Sequence, residues 1–268
     1  VVCIESRHVF FDIDGTIAEN DNPPSRLTVY ALRSLRKCGH MIFICTGRTL
    51  CDIYPEITLI GFDGIISGAG ANITVGRRTI FRRAIPKTLL NITAGKMLKA
   101  GITCVLEGHS QMYILDGKVP YDWPTIKVHI SRPEQLASLE NIEKLTLHTS
   151  DGMQIEHVFT FLRRFYDIYE HPETGFYELV LKGCDKGAAV DRVLRFDRAL
   201  RKDAVAFGDS RNDCSMFRSV GTSVSMGNAP LALKEMSSVV TGTIKQEGVY
   251  NALVNMRMIP PNKMRRQP

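Results

Sequence analysis

Val9-Phe10-Phe11-Asp12-Ile13-Asp14-Gly15-Thr16 is the stretch on which the reading of this chain turns. Three apolar residues end in a carboxylate, which reads as a short buried strand that delivers Asp12 at its carboxyl end. Three other apolar runs stop in the same manner. Met41 to Cys45 ends in Thr46-Gly47-Arg48, Gly64 to Ser67 in Gly68-Ala69-Gly70, and Ala204 to Phe207 in Gly208-Asp209-Ser210-Arg211-Asn212-Asp213. Between the first two runs Leu27, Tyr30, Ala31 and Leu35 recur at helical spacing, and Gly39 follows as a stop. A strand-helix-strand rhythm implies right-handed crossovers and a parallel sheet covered on both faces, an α/β, Rossmann-like architecture. After residue 183 the rhythm resumes. Lys186 opens a helix with Asp185 as its N-cap, Asn212 to Phe217 reads as helical, Ser223 to Met226 as a strand ended by Gly227-Asn228, and Pro230 takes the first position of a further helix.

From about residue 84 to 182 the texture differs. Cys104 to Leu106 and Tyr113 to Leu115 flank Gly108-His109-Ser110 as a hairpin, and Lys144 to His148 alternates. Gln154 to Arg164 places Ile155, Val158, Phe159 and Leu162 on one helical face, while Tyr166 to Tyr169 and Tyr177 to Leu181 read as strands around His171-Pro172-Glu173-Thr174-Gly175. This α+β pattern with antiparallel pairing is expected to form a separate domain, 84–182, inserted between the two parts of the parallel-sheet core, 1–83 and 183–268.

The composition is that of a folded globular protein, with 44% hydrophobic and 23% charged residues among 268. The net charge is +6, but Lys and Arg are spread along the chain, and the dense cluster Lys263, Arg265 and Arg266 sits in the last few residues. Without an aromatic-studded basic stripe, a solvated basic surface is the expectation, and no nucleic-acid partner. The seven cysteines have no CxxC pair or zinc spacing and fit reduced thiols in a cytoplasmic protein. Asn72-Ile73-Thr74 and Asn91-Ile92-Thr93 read as chance glycosylation matches. No apolar run is long enough to span a bilayer, and with a first strand by about residue 8 no signal peptide is expected.

Ligands of open parallel sheets sit outside the carboxyl ends of the strands. Aligning the strand ends gathers Asp12, Asp14, Asp209 and Asp213 at one edge. Four carboxylates there repel one another unless a cation holds them ionised, and a hard divalent ion such as Mg²⁺ takes oxygen ligands of this kind. Lys186 and Arg48 are candidates to balance a phosphate, and Thr46 offers a hydroxyl. Taken singly, each has an ordinary reading: an Asp as a turn or helix cap, a Gly as a turn residue, a Lys on a solvated surface. Jointly they suit phosphoryl transfer, where catalysis is mostly positioning and charge neutralisation.

These residues resemble the haloacid dehalogenase superfamily, in particular the Cof-type phosphatases with a type IIB (C2) cap. The resemblance runs through Phe11-Asp12-Ile13-Asp14-Gly15-Thr16, Cys45-Thr46-Gly47-Arg48, Lys186-Gly187 and Gly208-Asp209-Ser210-Arg211-Asn212-Asp213. Ser225-Met226-Gly227-Asn228-Ala229 and Glu247-Gly248-Val249 continue it, so it spans nearly the whole chain. About 30 residues separate the first two motifs and about 140 separate Thr46 from Lys186, which leaves only the second interval to hold the cap. The resemblance implies Asp12 as nucleophile and Asp14 as general acid, then base. It implies Mg²⁺ on the Asp12 side chain, the Asp14 main-chain carbonyl and Asp209, with Asp213 beside them. Thr46, Gly47, Lys186 and Asn212 would bind the phosphate, and Arg48 would line the entrance. The implied activity is hydrolysis of small phosphorylated metabolites, such as sugar phosphates or pyridoxal phosphate, by a monomer or homodimer. A phosphomutase using the same nucleophile is the alternative. In the insert, Tyr113, Tyr121 and Trp123 are expected as cap core rather than substrate stacking, and His109, His148 and His171 as surface or structural residues.

Overall fold

The computed structural model describes residues 7–19, 22–115, 126–130, 133–148, 156–171 and 175–262. In chain order its strands are β1 His8–Phe11, β2 Met41–Cys45, β3 Gly64–Ser67, β4 Asn72–Val75, β5 Arg78–Arg82, β6 Thr103–Gly108, β7 Met112–Leu115, β8 Ile126–Ile130, β9 Ile142–His148, β10 Tyr166–His171, β11 Phe176–Leu181, β12 Ala204–Gly208, β13 Thr222–Ser225 and β14 Val239–Val240. The helices are α1 Arg26–Lys37, α2 Pro55–Thr58, α3 Lys87–Ala100, α4 Glu156–Leu162, α5 Lys186–Phe196, α6 Cys214–Arg218, α7 Leu231–Met236 and α8 Gly248–Asn255.

Two sheets result. The first runs β14-β13-β12-β1-β2-β3-β4-β5 and draws its strands from both ends of the chain. Its pairs from β14 to β3 are parallel, and β4 and β5 add an antiparallel edge. Alternation along its central strands divides the core into two layers. Val9, Phe11, Ile42, Ile44, Val205 and Phe207 pack with Leu32 and Leu35 of α1 and Leu253 of α8. Phe10, Phe43, Cys45, Ala204 and Ala206 face the other way, onto Val190 and Val193 of α5, Met216 of α6 and Leu233 of α7. The expected parallel sheet covered on both faces is therefore present. Helix α1 starts where the Ser25 hydroxyl accepts the Thr28 amide at 3.0 Å, and Gly39 follows it at φ +88°.

The second sheet, β10-β11-β9-β6-β7-β8, is a separate cap region. Cys104, Leu106, Leu145, Leu147, Leu179 and Leu181 project from one of its faces onto α3 and α4. The alternate residues Val105, Glu107, Lys144, Thr146, Glu178 and Val180 occupy the opposite face.

Two elements went unread in the sequence, and two local expectations need correction. The hairpin β4–β5, joined through Gly76 at φ +57°, extends the first sheet past its parallel part. Its outer strand is mostly exposed, so Arg78-Thr79-Ile80-Phe81-Arg82 lacks the apolar run of a buried strand. Helix α3 buries Leu90, Thr93, Ala94 and Met97, a helical spacing obscured because two of the four are barely apolar. Pro230 stands one place before α7, in the cap position with extended backbone, and Leu231 opens the helix. The pairing of β7 with β8 is parallel, an exception to the antiparallel cap. Tyr121, Trp123, Ile155 and the basic terminal cluster lie outside the described residues. No helix among the described residues is long and apolar enough to cross a membrane.

Candidate active site

The strand order brings the carboxyl ends of β12, β1 and β2 side by side, with the loop after β3 adjoining. Asp12 follows β1 directly, and its amide donates to the Phe207 carbonyl at 3.0 Å. Its side chain is buried and meets the Lys186 ammonium at 2.9 Å. Lys186 is itself 1% exposed at the start of α5, a helix capped by Asp185, whose carboxylate accepts the Ala188 amide at 2.9 Å. The same ammonium reaches Asp213 Oδ1 at 2.6 Å. Asp213 Oδ2 accepts the amides of Asp209 and Ser210 at 2.9 and 3.0 Å, so one carboxylate both fixes the β12 loop and anchors the lysine.

Asp12, Asp209 and Asp213 each bring an oxygen within 4.8 Å of the other two. Burial raises the Asp12 carboxyl well above its ordinary value; Lys186 opposes this, while Asp213, Asp209 and Asp14 add to it. Burial and then Asp213 push Asp209 up to about 7. Burial alone would lower the Lys186 ammonium, but Asp12 and Asp213 more than offset it and keep it charged. One ammonium thus leaves this carboxylate cluster short of positive charge, which is the electrostatic condition a hard divalent cation would satisfy.

Asp14 points differently. Its side chain is 44% exposed, and Arg48 Nη2 and Nε grip its two oxygens at 2.8 Å each. Arg48 also reaches Asp52 at 3.4 Å and lies over the Tyr54 ring at 4.9 Å. Thr46 is fully buried, and its hydroxyl oxygen accepts the Arg48 amide at 3.1 Å. A side chain at Gly47 would meet the Glu178 carboxylate at 3.5 Å and the Asn212 amide at 3.8 Å. Asn212 Oδ1 accepts the Ser210 hydroxyl at 2.8 Å. The sequence motifs therefore converge on one place, with Arg48 engaged by Asp14 and Asp52. His109 sits 3.4 Å from both Asn72 and Glu143, and His148 packs on Phe176 with centroids 4.9 Å apart.

Asn228 is a site neighbour that the strand-end reasoning did not single out. Its amide donates to the Gly15 carbonyl and to Asp209 Oδ2, both at 3.0 Å. The signal was present in Ser225-Met226-Gly227-Asn228-Ala229 at the end of β13. Asp52, the second partner of Arg48, carried no comparable signal.

Gly15 has φ +75°, and a Cβ there would land on the Asp209 carboxylate. Gly15→Ala is accordingly expected to displace Asp209 and to cost more than about 1 kcal/mol of stability. Calorimetric titration with Mg²⁺ checks this, and wild-type cation affinity in the variant would refute it.

The profile of the haloacid dehalogenase-like hydrolases matches residues 9–253. A putative phosphatase, YkrA of Bacillus subtilis, is 27% identical over 96% of this chain and its own full length. An HMP-PP phosphatase of Yersinia pestis is 24% identical over 91% of this chain and 92% of its own. The fold matches that of the subclass IIB sugar phosphatase BT4131 with a TM-score of 0.82 at 24% identity, covering 95% of this chain and 100% of that one. BT1666 from Bacteroides thetaiotaomicron matches with a TM-score of 0.81 at 22% identity, over 95% and 96% of the two chains. With its motifs gathered at one sheet edge and the profile spanning nearly all of it, the chain belongs to the haloacid dehalogenase-like hydrolases and is a phosphatase of the Cof type.

Proposed function

We propose that this protein is a Mg²⁺-dependent phosphatase of small phosphorylated metabolites, sugar phosphates foremost, and that it works through an aspartyl-phosphate on Asp12. The observation that carries the reading is the buried Asp12–Lys186–Asp213 chain, with contacts of 2.9 and 2.6 Å, at the carboxyl ends of the parallel strands. It fixes a nucleophile and a phosphate-binding cation against each other. Asp12, Asp209 and Asp213, with the Asp14 main-chain carbonyl, are the residues that would hold Mg²⁺. When bound, the ion supplies charge neutralisation on the phosphoryl group.

In this reading Lys186, the Thr46 hydroxyl, the Gly47 amide and Asn212 seat the phosphoryl oxygens. An Asp12 oxygen bonds to phosphorus as the bond to the leaving oxygen breaks, and Asp14 donates its proton to that oxygen. Asp14, now a carboxylate, takes a proton from water as the water oxygen bonds to phosphorus and the Asp12–phosphorus bond breaks. Arg48 holds Asp14 as a carboxylate through both oxygens in the resting chain, and in this reading one of those contacts gives way when Asp14 takes up the proton it donates. We read residues 84–182 as the cap over this site, because the second sheet takes all its strands from within that interval. Arg48→Lys removes the two-point grip, so kcat is expected to fall about 10–100-fold with a smaller change in KM. A wild-type kcat on glucose 6-phosphate would remove Arg48 from the mechanism.

A linkage measurement tests the metal assignment without turnover. Asp209 has a folded value of about 7 against an ordinary 3.8. The cation-free folded protein therefore retains a proton that the unfolded chain has lost, and its stability falls as pH rises from about 4 through about 7. A cation relieves that penalty, so the rise in Tm on adding Mg²⁺ is expected to be larger at pH 8 than at pH 5.5. A rise that shrinks with pH, or none at all, would contradict it. The direct functional test is phosphate release from a panel of phosphorylated metabolites, with Mg²⁺ and with chelator.

A further inference from the structure

The cap sheet carries a set of buried charges that the phosphoryl-transfer steps do not use. Glu107 on β6, Lys144 on β9 and Glu178 on β11 lie on the face opposite the cap's apolar core. Lys144 Nζ stands 3.1 Å from Glu107 Oε2 and 3.4 Å from Glu178 Oε1, and the Thr146 hydroxyl donates to Glu107 Oε1. This face turns toward the first sheet's loops. Val180 packs with Ala69 and Ala71, the Cys51 thiol reaches the Gly108 carbonyl at 3.3 Å, and the Glu178 carboxylate lies 3.5 Å from where a Gly47 Cβ would stand.

Burial of ions costs stability even when they are paired, so a ladder of three in a sheet that could hold apolar residues calls for a role. Its members are unequally presented. The side chains of Glu107 and Lys144 are 0% and 4% exposed, whereas that of Glu178 is 20% exposed. The ammonium is enclosed by its two carboxylates, and what faces the space beside Gly47 is the Glu178 carboxylate. Burial pushes the Glu107 carboxyl up to about 7, so the charge presented toward Gly47 is that of Glu178.

Resting on the reading that phosphate seats at Thr46, Gly47 and Lys186, we propose that the Glu107–Lys144–Glu178 ladder is a charge filter on the leaving group. Glu178 accepts hydrogen bonds from the hydroxyls of a neutral, polyhydroxylated leaving group. It repels one that carries a carboxylate or a second phosphate. Lys144 holds Glu178 in place and is shielded from an incoming anion by the carboxylates around it. In a site of reduced dielectric, like-charge repulsion of this kind is a strong discriminator, and a hydroxyl donor meeting a fixed carboxylate is rewarded.

The test uses substrate pairs that differ by CH₂OH or an aldehyde carbon against COO⁻: glycerol 3-phosphate with 3-phosphoglycerate, and glucose 6-phosphate with 6-phosphogluconate. For the wild type, kcat/KM is expected to favour the neutral member by about tenfold or more. In Glu178→Gln that ratio should fall about fivefold or more, chiefly because KM for the acidic member drops. Lys144→Gln should move the ratio the other way. A wild-type ratio near one overturns the filter whatever the variants do, and so does an unchanged ratio in a folded Glu178→Gln. The same ratios, read as Kd by calorimetry in the Asp12→Asn background, require no turnover. Absence of phosphate release in the wild type would refute the phosphatase reading, while the binding ratio would still decide the filter.

Discussion

Asp12→Asn is expected to abolish phosphate release, lowering kcat by about four orders of magnitude or more on every substrate that the wild type accepts. The amide is nearly the same size as the carboxylate, and Asp12 is 4% exposed, so the substitution tests chemistry rather than space. An amide oxygen is a poor nucleophile, and the neighbouring carboxylates are each engaged, Asp209 by the Asn228 amide and the Thr16 hydroxyl. Asp14 is held by Arg48 through both its oxygens, and Asp213 is bound to two backbone amides and to Lys186. Stability should move the other way. Burial and three neighbouring carboxylates raise the Asp12 carboxyl well above its ordinary value, so removing its charge relieves that penalty at neutral pH. A variant that is inactive yet at least as stable as the wild type at pH 8, by thermal denaturation without divalent cation, is the expected result. Residual activity within tenfold of wild type would withdraw Asp12 as nucleophile.

Lys186→Met should cost both function and stability. Among the described residues the ammonium is the one cation paired with both Asp12 and Asp213, at 2.9 and 2.6 Å, and it is almost wholly removed from water. Taking away one partner of a buried ion network strands the others, at a cost of about 3–5 kcal/mol. The loss should depend on pH in a definite direction. Without Lys186 the positive charge that opposes the rise of Asp12 is gone, so the folded protein holds that proton more tightly and loses stability as pH increases. The Tm difference from wild type is therefore expected to be small near pH 5 and large near pH 8. Phosphate release should fall by at least about a thousandfold, since on the proposed mechanism the variant loses a phosphate ligand along with the anchor of the nucleophile. A uniform Tm difference across that range would mean that Lys186 acts by packing alone.

The site was more legible in the sequence than the edges of the fold. Strands β1, β2, β3 and β12 each combine an apolar run with an abrupt polar stop, and parallel order then fixes which stops are neighbours. That is why Asp12, Thr46, Lys186 and Asp213 could be placed together from residue types alone. Elements that do not bury a continuous apolar run escaped notice. The β4–β5 hairpin is a half-exposed edge, and α3 buries Thr93 and Ala94 where a periodic pattern would show leucines. Contacts that form only through three-dimensional closure were likewise beyond reach. The Arg48–Asp14 grip joins residues 34 apart, and Asn228 reaches Gly15 across 213. The charged ladder of the cap is a further case. Glu107, Lys144 and Glu178 belong to no motif, and only the register of β6, β9 and β11 brings them onto one face.

In the proposed mechanism Asp12 carries the phosphoryl group between substrate and water. Single-turnover rapid quench with glucose 6-phosphate labelled in its phosphate, in the presence of Mg²⁺, looks for that intermediate. Transient, hydroxylamine-sensitive label is expected on the peptide that contains Asp12, appearing before free phosphate and absent from Asp12→Asn. Phosphate released at the full single-turnover rate with no protein-bound label at any time would contradict it.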